Sequence, residues 1–205
     1  MKKLVLSKIH ESLGGKMVEF SGYYMPVQYE GVKAEHNTVR TSVGVFDVSH
    51  MGQVFVSGVK ALDFLQYITS NDVSKLTPGR VQYTCLPNYK GGIVDDFLLY
   101  MISEDNYLLV VNASNIEKDI AWLKKHNTFE CTIDNQSDNY SLLAVQGPNS
   151  IDLLQELTNI KLSDISYYNF KIGIIAEIDN VILSRTGYTG EIGFELYVKN
   201  NNVRK

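Results

Sequence analysis

The sequence predicts an α+β protein in which antiparallel sheets are flanked by helices. Residues 53–133 follow the order β-α-β-β-β-α-β, and on both sides of this stretch short apolar strands are joined by turn residues. A polar break at residues 135–139 follows the alternating stretch. With 205 residues, of which 44% are hydrophobic, the chain is long enough to bury a sizeable core.

Each element has its own local pattern. Before the alternating stretch, the spacing of apolar residues predicts a helix over 7–13, a strand over 16–20, an aromatic loop over 21–26 and a helix over 32–40. Within the stretch, the predicted strands are 53–56, 81–86, 93–102, 107–111 and 129–133, and the predicted helices are 60–68 and 115–126. This is the order of a split βαβ, ferredoxin-like sheet with one extra strand.

Two local signals mark boundaries. Ser114 and Glu117 have the spacing of a capping box, which predicts reciprocal hydrogen bonds at the start of the second helix. We interpret the polar break as a domain junction. Beyond it, strands are predicted over 142–146, 167–177 and 181–184, a helix runs from Pro148 through 157, and a loop over 185–192 returns into a last strand.

Asp95 and Asp96 are adjacent carboxylates inside an otherwise apolar strand. Because neighbouring side chains of a strand point to opposite faces, Asp96 is expected on the face of Tyr100. If the hairpin turn centres between residues 89 and 90, Asp96 also lies across from Tyr83. A carboxylate held between aromatic rings is desolvated, which is the usual preparation of a general base. These residues alone leave open a second interpretation, in which both aspartates bind turn amides.

A second constellation, Asp47 with Ser49 and His50, suggests a nucleophilic triad. Adjacent Ser49 and His50 point apart in a strand, however, and no nucleophile elbow is present, so we do not favour this interpretation.

Bulk properties exclude several classes of partner and site. The formal net charge is -4 with both signs interspersed, so no basic stripe for nucleic acid or membrane is present. The first apolar run is too short for a signal peptide, which predicts a cytoplasmic protein. The 2 cysteines and 4 histidines lack metal-binding spacing, so we expect reduced thiols and no metal.

Six motifs in one order carry a family resemblance. They are FDVSHMG at 46–52, TSND at 69–72, GGIVDD at 91–96, VNASN at 111–115, QGP at 146–148 and RTGYTGEIGFEL at 185–196. With them the chain resembles the T-protein, or aminomethyltransferase, of the glycine cleavage system. The resemblance implies transfer of a methylene group to tetrahydrofolate, with release of ammonia, from an aminomethyl group on the lipoylated H-protein.

The resemblance also implies roles for individual residues. Asp96 matches the aspartate beside the reacting folate nitrogens, where it orients the folate amine and accepts or relays a proton. Glu195 matches the carboxylate that accepts two hydrogen bonds from the amino-pyrimidine edge of the pterin. Further residues match the lining of the folate channel, namely Met51, Tyr83, Tyr100, Val110, Asn112, Tyr168 and Tyr188. For each tyrosine, core packing with a bonded hydroxyl is the alternative.

The resemblance further implies the domain organisation. Residues 52–137 form an inserted domain, and 1–51 pack with 138–205 as a first, truncated domain. A third domain of the family lies beyond residue 205, so we expect poor activity from residues 1–205 alone. The missing part also predicts an unpaired strand edge near residues 196–198.

Three alternatives remain at this stage. One is the folate domain of a sarcosine or dimethylglycine oxidase, which shares the aspartate motif but follows a flavin domain. Another is a folate-binding protein of the kind that supports iron-sulfur assembly, although its cysteine signature is absent through residue 205. The last is a non-catalytic folate-binding or interaction module.

Overall fold

A computed structural model describes all residues from Met1 to Lys205, and it confirms the predicted α+β class with antiparallel sheets. The chain divides into two units, one formed by Met1–His50 with Asn139–Lys205 and the other by Met51–Asp138. The third domain implied by the resemblance stays a prediction.

The unit of Met51–Asp138 has the predicted order of elements, β-α-β-β-β-α-β. Its strands are β5 Gly52–Ser57, β6 Val81–Pro87, β7 Ile93–Ser103, β8 Asn106–Val111 and β9 Thr132–Asn135, and its helices are α3 Ala61–Ile68 and α4 Ile116–His126. The antiparallel sheet has the order β6-β7-β8-β5-β9. Alternate residues of these strands pack against the apolar sides of both helices, with Phe64, Leu65 and Leu123 at the centre of the core.

Two predictions in this unit are wrong. The last strand begins at Thr132 rather than at 129, because the Phe129 ring packs against Phe64 and Tyr67 instead of joining the sheet. The capping box is absent, since α4 begins after Asn115 without a side-chain cap bond. The Asn115 side chain instead donates to a carboxylate of β7, as described below.

The other unit contains two sheets. Its strands are β1 Lys2–Lys3, β2 Lys16–Phe20, β3 Tyr23–Gln28, β4 Gly44–Asp47, β10 Tyr140–Gln146, β11 Phe170–Ile175, β12 Ile178–Ser184 and β13 Gly193–Lys199, and its helices are α1 Ser7–Ser12, α2 Val32–Thr41 and α5 Ser150–Gln155. The small sheet has the order β1-β3-β2 and the large sheet β11-β12-β13-β10-β4. Phe194 and Leu183 are fully buried in the core of this unit.

Two further predictions fail here. The segment predicted as an aromatic loop is mostly strand β3, since Ser21 and Gly22 adopt positive φ and close a tight hairpin between Phe20 and Tyr23. The predicted unpaired edge near residues 196–198 is also absent. Strand β13 pairs with β10 on one side and β12 on the other, so the edges of the large sheet are β11 and β4.

Candidate functional site

Asp96 accepts a hydrogen bond from the Tyr83 hydroxyl, whose oxygen lies 2.9 Å from Asp96 Oδ2. The predicted register of the hairpin is wrong by two residues, because Cys85 lies across from Asp96 and Tyr83 lies across from Leu98. A diagonal pair on one face of a sheet is still within reach of a long side chain, so the tyrosine meets the carboxylate from two positions away. The hydrogen bond to Asp96, followed by burial, raises the pKa of Tyr83 to about 12.

Asn112 holds Asp96 from the other side of β7. Its side-chain amide nitrogen lies 3.0 Å from the Asp96 carbonyl oxygen and 3.5 Å from Asp96 Oδ1. The same nitrogen donates to Asp95 Oδ1 at 3.0 Å. Asn112 immediately follows strand β8, which is the neighbour of β7, so the pairing of these strands sets its position.

Asp95 points to the opposite face of β7, towards the helices, and is buried. The amides of Asn112 and Asn115 donate to its Oδ1 at 3.0 and 2.7 Å. Burial would raise the pKa of Asp95, but hydrogen bonds from Asp119, Asn112 and Asn115 outweigh it and lower that pKa.

Asp119 of α4 completes this group and is fully buried. Burial, then the hydrogen bond to Asp95 and the charge of Asp95, raise the pKa of Asp119 to about 8. At neutral pH Asp119 is therefore a carboxylic acid that donates to the Asp95 carboxylate.

The remaining candidates in this unit lie around the same strands. Tyr100 is buried and pairs with Val81 and Leu108 across the sheet. Val110 is buried on β8, next to Leu98. Met51 precedes β5 and is half-buried, and its carbonyl accepts a hydrogen bond of 2.9 Å from the Gln53 side chain.

A second carboxylate, Glu195 on β13, is the centre of the candidate residues in the other unit. The Thr186 hydroxyl donates to Glu195 Oε2, and Thr186 Oγ1 also lies 2.9 Å from Ser184 Oγ. Burial raises the pKa of Glu195, and the hydrogen bond from Thr186 opposes this shift. The pKa of the Tyr168 phenol is raised by burial, then by the charge of Tyr167 and then by the charge of Glu195. Tyr168 therefore lies close enough to Glu195 to sense its charge.

Gln146 organises the loop that leads into Glu195. Its side chain is fully buried, donates to the carbonyls of Thr186 and Phe194 at 3.1 and 3.4 Å, and accepts from the Thr189 hydroxyl at 2.8 Å. A Cβ at Gly187 or Gly193 would lie within 2.1–2.4 Å of this side chain. Gly187 and Gly193 are therefore needed for close approach to the glutamine side chain.

Tyr188 lies in the same loop, and its side chain is fully exposed. The structure does not bring it into contact with Glu195. The loop is tied to α2 by an ion pair between Arg40 and Glu191, with a distance of 2.7 Å between Nη1 and Oε1.

The Asp47 constellation is not a triad. Ser49 Oγ donates to Asp47 Oδ1 at 2.5 Å, but Asp47 Oδ2 lies 2.8 Å from Nε2 of His10 rather than from His50. The His50 ring instead packs edge-on against Phe20. With no histidine positioned on Ser49, this network has no activated nucleophile.

No group of three or more metal-ligating side chains occurs in the structure. The thiols of Cys85 and Cys131 are both free. None of the helices is long and apolar enough to cross a membrane.

Three residues that shape these groups, Asp119, Asn115 and Gln146, have contacts that the sequence patterns did not predict. Asp119 occupies the buried stripe of α4, three residues after Ile116, and a carboxylate on such a stripe was the available signal. Asn115 lies between Ser114 and Glu117 of the predicted capping box, a pattern that gives no sign of its contact with Asp95. Gln146 lies in a predicted strand and in the QGP motif, but its contacts depend on the long-range pairing of β10 with β13.

The fold and the two carboxylate groups define a class of α+β protein with an aspartate held on a central strand of one unit and a buried glutamate on a central strand of the other. The model of the GCVT N-terminal domain family matches residues 6–205, and the chain belongs to this family.

Curated relatives are similar over nearly the whole chain. An aminomethyltransferase of Flavobacterium psychrophilum is 57% identical over 203 residues, which cover 99% of this chain and 56% of the relative. An aminomethyltransferase of Bacteroides fragilis is 58% identical over 197 residues, covering 96% of this chain and 55% of the relative. The chain thus spans about half the length of the curated relatives it matches.

Solved structures agree with this assignment. The glycine cleavage system aminomethyltransferase T from Bartonella henselae matches with a TM-score of 0.91 at 35% identity, covering 99% of this chain and 55% of that chain. A heterotetrameric sarcosine oxidase from Corynebacterium sp. U-96 matches with a TM-score of 0.58 at 16% identity, covering 84% of this chain and 85% of that chain. The second likeness concerns the fold alone.

Proposed function

We propose that this chain belongs to a tetrahydrofolate-dependent aminomethyltransferase of glycine cleavage. The aminomethyl group is carried on the lipoyl arm of an H-protein. Its methylene carbon forms bonds to two nitrogens of tetrahydrofolate, its bonds to sulfur and to the amine break, and ammonia and the dihydrolipoyl thiol leave. The sequence identity with the aminomethyltransferases described above supports this reaction class. The reaction also suits a protein with the carboxylates of Asp96 and Glu195, since it needs a proton acceptor and a group that binds N–H donors.

The observation that carries the proposal is the fixed geometry of Asp96. The carboxylate is held by the Tyr83 hydroxyl at 2.9 Å and by the Asn112 amide, so its orientation is set before any ligand binds. A carboxylate in this setting suits orientation of a folate amine and acceptance of a proton when that amine attacks. We assign this role to Asp96.

We assign pterin recognition to Glu195. The Thr186 hydroxyl donates to one oxygen of Glu195, Oε2, and a buried carboxylate has further acceptor capacity. An amino-pyrimidine presents adjacent N–H groups that a carboxylate binds through two hydrogen bonds. Tetrahydrofolate supplies the nucleophilic nitrogens when bound, whereas the protein supplies orientation and a proton acceptor. We propose that further residues contact bound folate, namely Met51, Tyr100, Val110, Tyr168 and Tyr188.

The test measures ammonia release from aminomethyl-loaded H-protein in the presence of tetrahydrofolate. The product of the complete gene is compared with its Asp96→Asn variant, which keeps the size of the side chain and removes the basic carboxylate. We expect turnover to fall at least about 100-fold, as is common when a general base is removed, with an unchanged circular dichroism spectrum.

Asp105→Asn is the matched control, because Asp105 is exposed in the turn that follows the same strand. This control variant should retain wild-type turnover. Persistence of turnover in Asp96→Asn would show that the role assigned to Asp96 is wrong. Absence of ammonia release in the wild-type protein would refute the proposed reaction.

A further inference from the structure

The Asp95–Asp119 pair lies on the face of β7 opposite to Asp96 and has too few donors for two carboxylates. Asp95 Oδ2 and both oxygens of Asp119 are buried, and no backbone or side-chain donor reaches any of the three. The side-chain amides of Asn112 and Asn115 both donate to Asp95 Oδ1. A proton on one of the carboxyls is therefore the donor that this pocket requires.

A continuous chain of contacts connects this pair to Asp96. Asp119 bonds to Asp95, and Asp95 Oδ1 accepts from the Asn112 amide at 3.0 Å. The same amide nitrogen lies 3.0 Å from the backbone carbonyl oxygen of Asp96 and 3.5 Å from its carboxylate Oδ1. The Asn112 amide thus connects the buried pair of Asp95 and Asp119 to the carboxylate of Asp96, to which we assign the reaction.

We propose that Asp119 is a positioning residue for Asp96: it shares a proton with Asp95, and the pair fixes the Asn112 amide that holds the reacting carboxylate. The proposal rests on the proposed function only in assigning the reaction to Asp96. The shared proton and the hold on Asn112 are properties of this unit in the absence of any ligand.

The charged groups around the pair come from two elements. From β7, Asp95 and Asp96 add negative charge that favours the protonated form of Asp119. From α4, the positive charge of Lys118 acts in the opposite direction, although its Nζ is held 2.7 Å from the Val94 carbonyl oxygen. The segment between β8 and α4 contributes only the neutral amides of Asn112 and Asn115.

Loss of the proton would disturb Asp96. Asp119 has a pKa raised to about 8, so it ionises as the pH rises above that value. Asp95 and Asp119 would then both be negatively charged in one pocket, where the side-chain amides of Asn112 and Asn115 donate only to Asp95 Oδ1. Repulsion between the two carboxylates would separate α4 from β7. We therefore expect the hold on Asn112, and with it turnover, to weaken at alkaline pH.

The first experiment needs no activity. The 205-residue chain is labelled with carbon-13 at the aspartate carboxyls and titrated by nuclear magnetic resonance. We expect one aspartate carboxyl to remain protonated at pH 6 and to disappear from the spectrum of Asp119→Asn. If all aspartate carboxyls in the wild-type chain are ionised at pH 6, the shared proton is refuted.

The second experiment compares two substitutions of similar size. Asp119→Asn keeps an N–H donor towards Asp95 that cannot titrate, whereas Asp119→Leu has no donor. The Asn112 side-chain amide signals should stay near their wild-type positions in Asp119→Asn and move in Asp119→Leu. Asp63→Asn is the matched control, since it removes a carboxylate from the first turn of α3 on an exposed position. Unmoved Asn112 signals in Asp119→Leu would overturn the proposal.

The third experiment is the pH profile of turnover in the product of the complete gene. We expect Asp119→Asn to stay within about twofold of wild-type kcat at pH 7 and to lose the alkaline fall, whereas Asp119→Leu lowers kcat about tenfold and changes KM less. An alkaline fall that persists in Asp119→Asn contradicts the proposal. If Asp119→Leu does not fold, the Asn variant alone decides. If the wild-type protein shows the shared proton but no turnover, the result counts against the proposed function and not against the role of Asp119.

Discussion

Replacement of Gly193 by alanine tests the packing that places Glu195. Gly193 is the first residue of β13, has an ordinary backbone conformation and lies across from Gln146 of β10. An added Cβ would lie 2.4 Å from the Gln146 amide nitrogen and 2.5 Å from the Val145 carbonyl oxygen. The first group can turn away, but the second belongs to the backbone of a central strand.

The expected cost has two parts. Overpacking of a well-filled site typically costs about 1–3 kcal/mol. If the Gln146 side chain moves, hydrogen bonds to Thr186 and Phe194 weaken, at about 1 kcal/mol each. We expect the free energy of unfolding to fall by about 2–4 kcal/mol for Gly193→Ala.

Urea unfolding followed by circular dichroism measures this change. With a slope of about 2 kcal/mol per molar urea, the midpoint should fall by about 1–2 M. Gly14→Ala is a contrasting variant: Gly14 has positive φ and open space around it, so its cost of about 1 kcal/mol comes from the backbone conformation, which Gly193→Ala does not strain. A Gly193→Ala protein whose stability is within about 0.5 kcal/mol of wild type would refute the close-packing argument.

Two further predictions concern the carboxylates. Tyr83→Phe removes the hydroxyl donor to Asp96, and because Tyr83 is 50% exposed and water substitutes in part, we expect only about a fivefold loss in kcat/KM. Ultraviolet titration provides an independent check, since the tyrosine with a pKa of about 12 should vanish in Tyr83→Phe and titrate earlier in Asp96→Asn; an unchanged titration would contradict the contact. Tetrahydrofolate should bind more tightly as the pH rises through the raised pKa of Glu195, because the ionised form accepts two hydrogen bonds. Calorimetry should show a flatter pH dependence for Glu195→Gln, and an unaltered profile would exclude Glu195 from recognition.

The free energy of unfolding should respond to the raised pKa values of Asp119 and Glu195. A carboxyl that keeps its proton in the folded chain and loses it in the unfolded chain makes the folded state less stable as the pH rises between the two pKa values. For Asp119 this window runs from about 4 to about 8. Both buried acids therefore reduce stability near neutral pH, which is the expected cost of groups retained for function.

Local patterns determined most of the elements of this protein. Alternation placed Asp95 and Asp96 on opposite faces of β7, and apolar periodicity located α4 and the strands of the inserted sheet. These features depend on residues close together in the chain, where the period of a strand or helix fixes which side chains share a face. The family motifs then singled out Asp96 and Glu195.

Pairing between distant segments decided the rest. The register that set Cys85 rather than Tyr83 opposite Asp96 differs from the predicted one by two residues. A bulge between Leu86 and Pro87 accounts for one of them and a different turn centre for the other, and the turn residues revealed neither. The position of β13 between β10 and β12, and the burial of Gln146, follow from a sheet order that joins residues about 50 positions apart.

The sequence by itself predicted two carboxylates as candidates, Asp96 and Glu195, because strand alternation and the family motifs are local features of the chain. Only the tertiary structure decided how those carboxylates are held. Asp119 reaches Asp95 from a helix 24 positions further along the chain, and a shared proton requires both groups in one pocket closed to water.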